Sequence, residues 1–251
     1  MEVFGINIAE NHIHINVSDL IKYISLEKQK RVQAFHDYHD AKRVLIGDII
    51  IRSIVCRYLH KNNQEIQFNR NRYGKPYLCN TEGFHYNIAH SGKWVVCAVD
   101  SDPVGIDVEE VALIDLAIAP NLFSPAEVSY IMDRLAEERT DHFYEVWTLK
   151  ESYIKALGCG LSKELRSFSL KFGDNGNISV VDSDHHVGAF LRTYELEPEY
   201  RVAVCARHDE IPDRITVVNM EWIMEGLIPQ TQQVSDAGHF IPNIFNRNKL
   251  L

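Results

Sequence analysis

Gly5-Ile6-Asn7-Ile8-Ala9-Glu10 and Gly105-Ile106-Asp107-Val108-Glu109-Glu110 read as two versions of one segment, about 100 residues apart. Each alternates branched apolar residues with others, the period of a β-strand with one buried face. A second echo follows in Val96-Cys97-Ala98 and Val204-Cys205-Ala206. Between these strands each half carries a helical pattern. Asp40 is placed to cap a helix reaching about His60, with Leu45, Ile49, Ile50 and Ile54 on its apolar side. Thr140 or Asp141 is placed to cap another that runs to Leu157 and stops at Gly158 and Gly160. The order strand, helix, several strands thus occurs twice. The expected fold is α+β, a pseudo-twofold pair of similar α/β subdomains spanning 1–102 and 103–225. The active site is expected at their interface, because clefts between subdomains favour ligands. Residues 226–251 have no counterpart in the first half and read as a tail of unknown role.

Composition excludes several classes. The 251 residues are 45% hydrophobic and 24% charged, an ordinary globular profile with enough apolar material for a core. A net charge of −9 argues against binding nucleic acid or an anionic membrane, though it leaves room for a local basic pocket. Cys56, Cys79, Cys97, Cys159 and Cys205 are odd in number and widely spaced. They point to buried thiols in a reducing compartment rather than to disulfides or a cysteine-zinc site. The start lacks a basic segment followed by an apolar run, and no stretch nears the roughly 18 apolar residues of a membrane span. A cytoplasmic protein is expected.

Alternation places Val104, Ile106 and Val108 on one strand face and turns Asp107 and Glu109 together to the other. Two aligned carboxylates repel unless a cation, a proton or solvent relieves them, so the strand alone allows either a solvated face or a binding site. On the following helix, apolar residues cover most of the 147–157 surface and leave Thr148, Glu151, Ser152 and Lys155 on a narrow stripe. So apolar a helix is mostly buried, which directs Glu151 and Lys155 toward a cleft; an exposed i,i+4 pair is the plainer alternative. The first copy of the repeat has Asn7 and Ala9 where the second has Asp107 and Glu109. The strand therefore does not require acids, and a site for Mg²⁺ (Mn²⁺ being the close alternative) reads better than a solvated face.

Three segments together resemble the surfactin-type 4′-phosphopantetheinyl transferases: Gly105-Ile106-Asp107-Val108-Glu109, Asn87-Ile88-Ala89-His90-Ser91, and the run Trp147-Thr148-Leu149-Lys150-Glu151-Ser152-Tyr153-Ile154-Lys155-Ala156-Leu157-Gly158. Gly74-Lys75-Pro76 and Asp40-Ala41-Lys42-Arg43 add to the likeness, which spans essentially residues 1–225. The resemblance implies transfer of the phosphopantetheine arm of coenzyme A to a serine of an apo acyl or peptidyl carrier protein, releasing adenosine 3′,5′-bisphosphate. It implies Asp107, Glu109 and Glu151 as Mg²⁺ ligands, Glu151 as base (directly or through a metal-bound water), and Lys155 on the pyrophosphate. It places Lys28, Arg31, Lys75 and His90 on the nucleotide end of coenzyme A; unaided, each would read as surface or structural. Ala89 and Val44 depart from the family, which often has hydroxyl residues there.

Val111 to Phe123 is apolar without the length of a membrane span. It reads equally as a buried amphipathic helix or as the surface that docks a carrier, and Ser124-Pro125-Ala126-Glu127 reads as a fresh helix start. The length fits a monomer containing both halves of the site. A Mg²⁺-dependent phosphodiester or nucleotide hydrolase and a non-catalytic nucleotide-binding module are the competing functions.

Overall fold

A computed structural model describes residues 1–9, 17–173, 177–184 and 188–228. Glu10 and the tail from residue 229 onward lie outside the described residues. The first sheet holds strands β1 (Glu2–Asn7), β4 (His85–Ser91), β5 (Trp94–Asp100) and β11 (Thr216–Val217), in the order β11-β1-β5-β4. The second holds β6 (Gly105–Glu110), β9 (Phe190–Tyr194) and β10 (Tyr200–Ala206), in the order β6-β10-β9. Two hairpins flank them: β2 (Phe68–Arg70) with β3 (Pro76–Leu78), and β7 (Ser169–Phe172) with β8 (Ile178–Val181). Helices α1 (Leu26–Gln33) and α2 (Tyr38–Leu59) belong to the first half, and α3 (Pro125–Met132) and α4 (Arg139–Leu157) to the second. A last helix, α5 (Met220–Leu227), returns to pack on α2. No helix among the described residues is long and apolar enough to cross a membrane.

The two halves share one plan, a three-stranded antiparallel unit with a long helix on its outer face. Leu45, Ile46, Ile49, Ile50 and Ile54 of α2 are fully buried against the first sheet. Its N-terminus is capped three residues earlier than the sequence suggested. The Asp37 carboxylate accepts from His39 N at 2.7 Å and Asp40 N at 3.0 Å, and His60 ends the helix in the left-handed region. Helix α4 begins at Arg139 without a side-chain cap, so neither Thr140 nor Asp141 serves, and it stops at Gly158 with φ 68°. The start of α3 does form the capping box read from Ser124 and Glu127.

Register corrects the repeat. Val96 pairs with Gly5, but Val204 pairs with Ile106 and not with Gly105. Val96 and Val204 both face the core between the sheets, whereas Gly105 faces α4. A one-residue slip turns every strand side chain to the other face. The counterparts of Asp107 and Glu109 are therefore Ile6 and Ile8, buried against α2, rather than Asn7 and Ala9. Where the first half buries apolar side chains under its helix, the second buries acids.

The halves meet where β4 passes β6. Asn87 Oδ1 accepts from Ile106 N at 2.8 Å, and Ser91 Oγ accepts from Glu110 N at 3.0 Å. Side chains of β4 thus satisfy amides that a paired strand would otherwise bond. On the opposite face of β6 the helix α4 lies so close that a Cβ on Gly105 would overlap the Ser152 carbonyl oxygen and the Ala156 amide nitrogen. Both obstacles are backbone, so nothing flexible can yield. Gly105→Ala is expected to destabilise the fold by about 3 kcal/mol or more, at or above the usual cost of overpacking. Gly5→Ala, whose Cβ would lie 3.1 Å from a movable methyl of Ile215, should cost about 1 kcal/mol or less. Urea unfolding of the two variants measures the difference, and equal losses would refute the close-packing assignment.

Candidate active site

Because Gly105 lets α4 settle onto β6, the residues that follow it on that face look directly at the helix. Asp107 is buried, and Lys155 Nζ donates to its Oδ1 at 2.5 Å. Its Oδ2 is buried with no hydrogen-bond partner. Glu109, half-buried, accepts from Ser91 Oγ at 3.1 Å. Glu151 stands one turn before Lys155 on α4. All three carboxyls sit above their ordinary values. For Asp107 the cause is burial, partly offset by Lys155. For Glu109 burial leads, with the charge of Asp107 and then Glu151 adding to it, while Ser91 and Lys155 oppose. For Glu151 burial leads, followed by Asp107. The trio therefore faces one small volume, and the charge of Asp107 resists the ionisation of both glutamates.

The donor set fits a hard divalent cation. Three carboxylates against one ammonium leave two negative charges, and Asp107 Oδ2 is an orphan acceptor that an ion would satisfy. The trio is held wider than a closed ligand shell: among the described residues, the three-ligand group whose atoms lie within 4.8 Å of one another is Asp100, Asp102 and His208, elsewhere in the fold.

The residues expected on the nucleotide side divide. His90 stands exposed on the α2 face of β4, and its imidazole is pushed below its ordinary value by desolvation and then by the Arg43 and Lys155 charges. Arg43 Nη1 donates to Gly92 O at 2.9 Å, and its Nη2 pairs with Asp40. Lys28 pairs with the buried Asp48, which also holds Arg52 Nε at 2.5 Å, so one aspartate carries two cations. Arg31 lies exposed on the same helix as Lys28. Lys75 is engaged within the fold. Its ammonium donates to Lys155 O at 2.5 Å, Val104 O at 2.9 Å and Ala156 O at 3.4 Å. Burial pushes it down to about 8. With three carbonyl acceptors, Lys75 ties the C-terminal end of α4 to the start of β6.

Comparison with known proteins gives this geometry its context. A model described as "4′-phosphopantetheinyl transferase, N-terminal" matches residues 13–102, and one described as "4′-phosphopantetheinyl transferase superfamily" matches residues 103–205. The 4′-phosphopantetheinyl transferase Sfp of Bacillus subtilis (strain 168) is 38% identical, covering 89% of this chain and 100% of its own. The chain belongs to the 4′-phosphopantetheinyl transferase superfamily. The 4′-phosphopantetheinyl transferase psf-1 of Bacillus pumilus is 34% identical over 90% of this chain and 99% of its own. The human L-aminoadipate-semialdehyde dehydrogenase-phosphopantetheinyl transferase is 25% identical over 85% of this chain and 81% of its own.

In this transferase three residues act in the site without having been singled out from sequence. Ser91 orients Glu109, Asn87 fixes the edge of β6, and Arg43 supplies the charge beside His90. All three stood inside the motifs that carried the resemblance, and strand alternation would have turned Asn87 and Ser91 toward the second half. Ala89 is buried in the core between the sheets and Val44 packs against the first core, so neither position holds a phosphate-facing hydroxyl. Lys75→Met should lower stability by roughly 1–3 kcal/mol, the cost of leaving buried carbonyls unpaired, with coenzyme A affinity of the folded transferase changed little. Weaker coenzyme A binding at unchanged stability, read by calorimetry and urea unfolding, would restore Lys75 as a ligand.

Proposed function

We propose that this chain moves the 4′-phosphopantetheine arm of coenzyme A onto a serine of apo acyl and peptidyl carrier proteins and releases adenosine 3′,5′-bisphosphate, with Mg²⁺ held by Asp107, Glu109 and Glu151. The observation that carries the reading is the buried, unpartnered Asp107 Oδ2 among three carboxyls with raised pKa, next to the cations Lys155 and Arg43 and the imidazole of His90. A bound Mg²⁺ supplies charge that neutralises the pyrophosphate and stabilises the departing phosphate. The protein's own part is positioning and proton handling. Glu151, made a stronger base by burial and by Asp107, accepts the serine proton, a role worth about 10²–10⁴-fold. Lys155 brings an ammonium to the pyrophosphate from the same helix face. Arg43 and His90 line the approach for the nucleotide's phosphate, with Lys28 and Arg31 extending the positive side from α1.

The Val111–Phe123 segment forms no long amphipathic helix: a 3-10 turn (Leu116–Ile118) and the four-residue helix Ala119–Leu122 are its regular parts. Ala119 and Phe123 are buried and Leu122 packs against the α3–α4 core, while Leu113 stands fully exposed and apolar. One chain contains both halves of the site, so a monomer suffices.

Incubation with coenzyme A, Mg²⁺ and an apo carrier should add the mass of one phosphopantetheine group to the carrier. Hydrolysis of coenzyme A without that gain would overturn the transferase reading. Asp107→Ala and Glu151→Ala should each lower the transfer rate by about 10²-fold or more at unchanged secondary structure. His90→Ala should raise KM for coenzyme A with a smaller effect on kcat. Near-normal turnover of either carboxylate variant at saturating Mg²⁺ would remove the metal assignment.

A further inference from the structure

Helix α1 is lightly rooted: of its eight residues, Leu26 to Gln33, Val32 alone is buried. A second attachment is ionic. Lys28 pairs with Asp48, a residue 2% exposed in a stretch of α2 whose neighbours Leu45, Ile46, Ile49, Ile50 and Ile51 are core residues. The same carboxylate holds Arg52 Nε at 2.5 Å, and Arg52 Nη1 donates to Asn63 Oδ1 at 3.1 Å. Asn63 Nδ2 in turn donates to Tyr23 O at 2.8 Å. A polar path therefore runs from Asp48 to both ends of the segment 23–28, which leads into α1.

Stability alone explains this arrangement poorly. A buried carboxylate needs one counter-charge, and Arg52, buried one turn later on α2, supplies it. Buried ion pairs add little net stability, and apolar residues at both positions would simply continue the core face of the helix. Lys28 is a second cation on one anion, so the group carries a surplus positive charge. Arg31, three residues on and thus on the same side of α1, is exposed and has no ion pair among the described residues. Like charges at that spacing oppose each other unless an anion relieves them. Asp48 Oδ2 accepts no hydrogen bond, so the Lys28 ammonium is what faces it. An ammonium has three donors. With one directed at Asp48, the others remain free for a ligand at a side chain 29% exposed.

We propose that Asp48 is a positioning residue of the nucleotide site: it fixes the Lys28 ammonium, and with it the seat of α1, so that Lys28 and Arg31 present two cations to the 3′-phosphate of coenzyme A. The inference rests on the transferase reading above and gives a task to an acid that touches no substrate atom. A phosphate monoester carries about two negative charges and calls for more than one cation. Arg52 cancels the repulsion that a lone carboxylate behind Lys28 would exert on that phosphate. Transfer leaves the 3′-phosphate unchanged, so contacts to it bind substrate and transition state alike and appear in KM rather than kcat.

The test compares coenzyme A with 3′-dephospho-coenzyme A in the transfer reaction, using Asp48→Asn, Lys28→Met and the double variant. Asp48→Asn should raise KM for coenzyme A about tenfold, the scale of one charge-assisted hydrogen bond, at nearly unchanged kcat. Its KM for 3′-dephospho-coenzyme A should match that of the wild type, and in the Lys28→Met background it should add nothing. A general loosening of the fold would instead raise KM for both substrates and add to Lys28→Met. That outcome, or an unchanged KM for coenzyme A, would overturn the proposal. If Asp48→Asn does not fold, Asp48→Leu combined with Arg52→Met removes both buried charges and should fold; retained discrimination between the two substrates would then overturn it. Calorimetry with adenosine 3′,5′-bisphosphate and adenosine 5′-monophosphate repeats the comparison without catalysis. The wild type should prefer the bisphosphate, and Asp48→Asn should lose about tenfold of that preference. A wild-type chain that shows this pattern but transfers nothing would remove the transferase reading and keep the role of Asp48. Transfer without the pattern would remove the role of Asp48 alone.

Discussion

The contact on which the rest depends is backbone against backbone: α4 lying on β6 over Gly105, with no side chain between them. The Ser152 carbonyl and Ala156 amide occupy the space a Cβ would need. A helix normally stands off a sheet by the thickness of two side-chain layers, so its charged residues would pass over strand carboxylates at a distance. Removing one layer brings Lys155 onto Asp107 and sets Glu151 beside both. Lys75 fixes the same contact from outside, holding the carbonyls of Lys155, Ala156 and Val104 with one ammonium. The functional side chains are thus positioned by main chain, the least deformable part of the structure.

That closeness has an electrostatic cost. Asp107 is buried in a place where the first half of the molecule buries Ile6, and Glu109 stands where it buries Ile8. Burial raises all three carboxyls, the charge of Asp107 adds to it at both glutamates, and one lysine does not balance them. A duplicated fold stable with isoleucines has accepted acids in one copy only. Such a substitution weakens the apolar core beneath α4 and becomes intelligible when a cation and an anionic substrate complete the charge. The pseudo-twofold arrangement leaves Arg43 and His90 on the first half and the acids on the second, so under the proposed function the substrate phosphates would lie between a cation on one side and the three carboxylates on the other.

The sequence made the larger plan legible through element order. The duplicated strand-helix-strand pattern, the acidic face of β6 and the polar stripe of α4 followed from periods of 2 and 3.6 residues, which the structure retains. Helix starts were less legible. Asp37 and Asp40 are equally good caps on paper, and only the backbone direction before Tyr38 decides between them. The repeat misled by one residue because Gly5 and Gly105 match as letters while facing opposite sides of their strands, a distinction that depends on pairing with β5 and β10. The packing contacts of Lys75 were not legible, because an ammonium bonds phosphate oxygens and peptide carbonyls alike and nothing local in Gly74-Lys75-Pro76 says that α4 ends beside it. Ser91 and Asn87 gain their roles only from the neighbouring half.

The central claim is that the space between β6 and α4 is a cation site. A crystal structure of the chain with coenzyme A and Mn²⁺, measured at the manganese absorption edge, tests it most directly. An anomalous peak bounded by Asp107, Glu109 and Glu151, with Lys155 moved off Asp107 toward the pyrophosphate, is the predicted result. Bound coenzyme A with Lys155 still on Asp107 and no peak among the three carboxylates would contradict it.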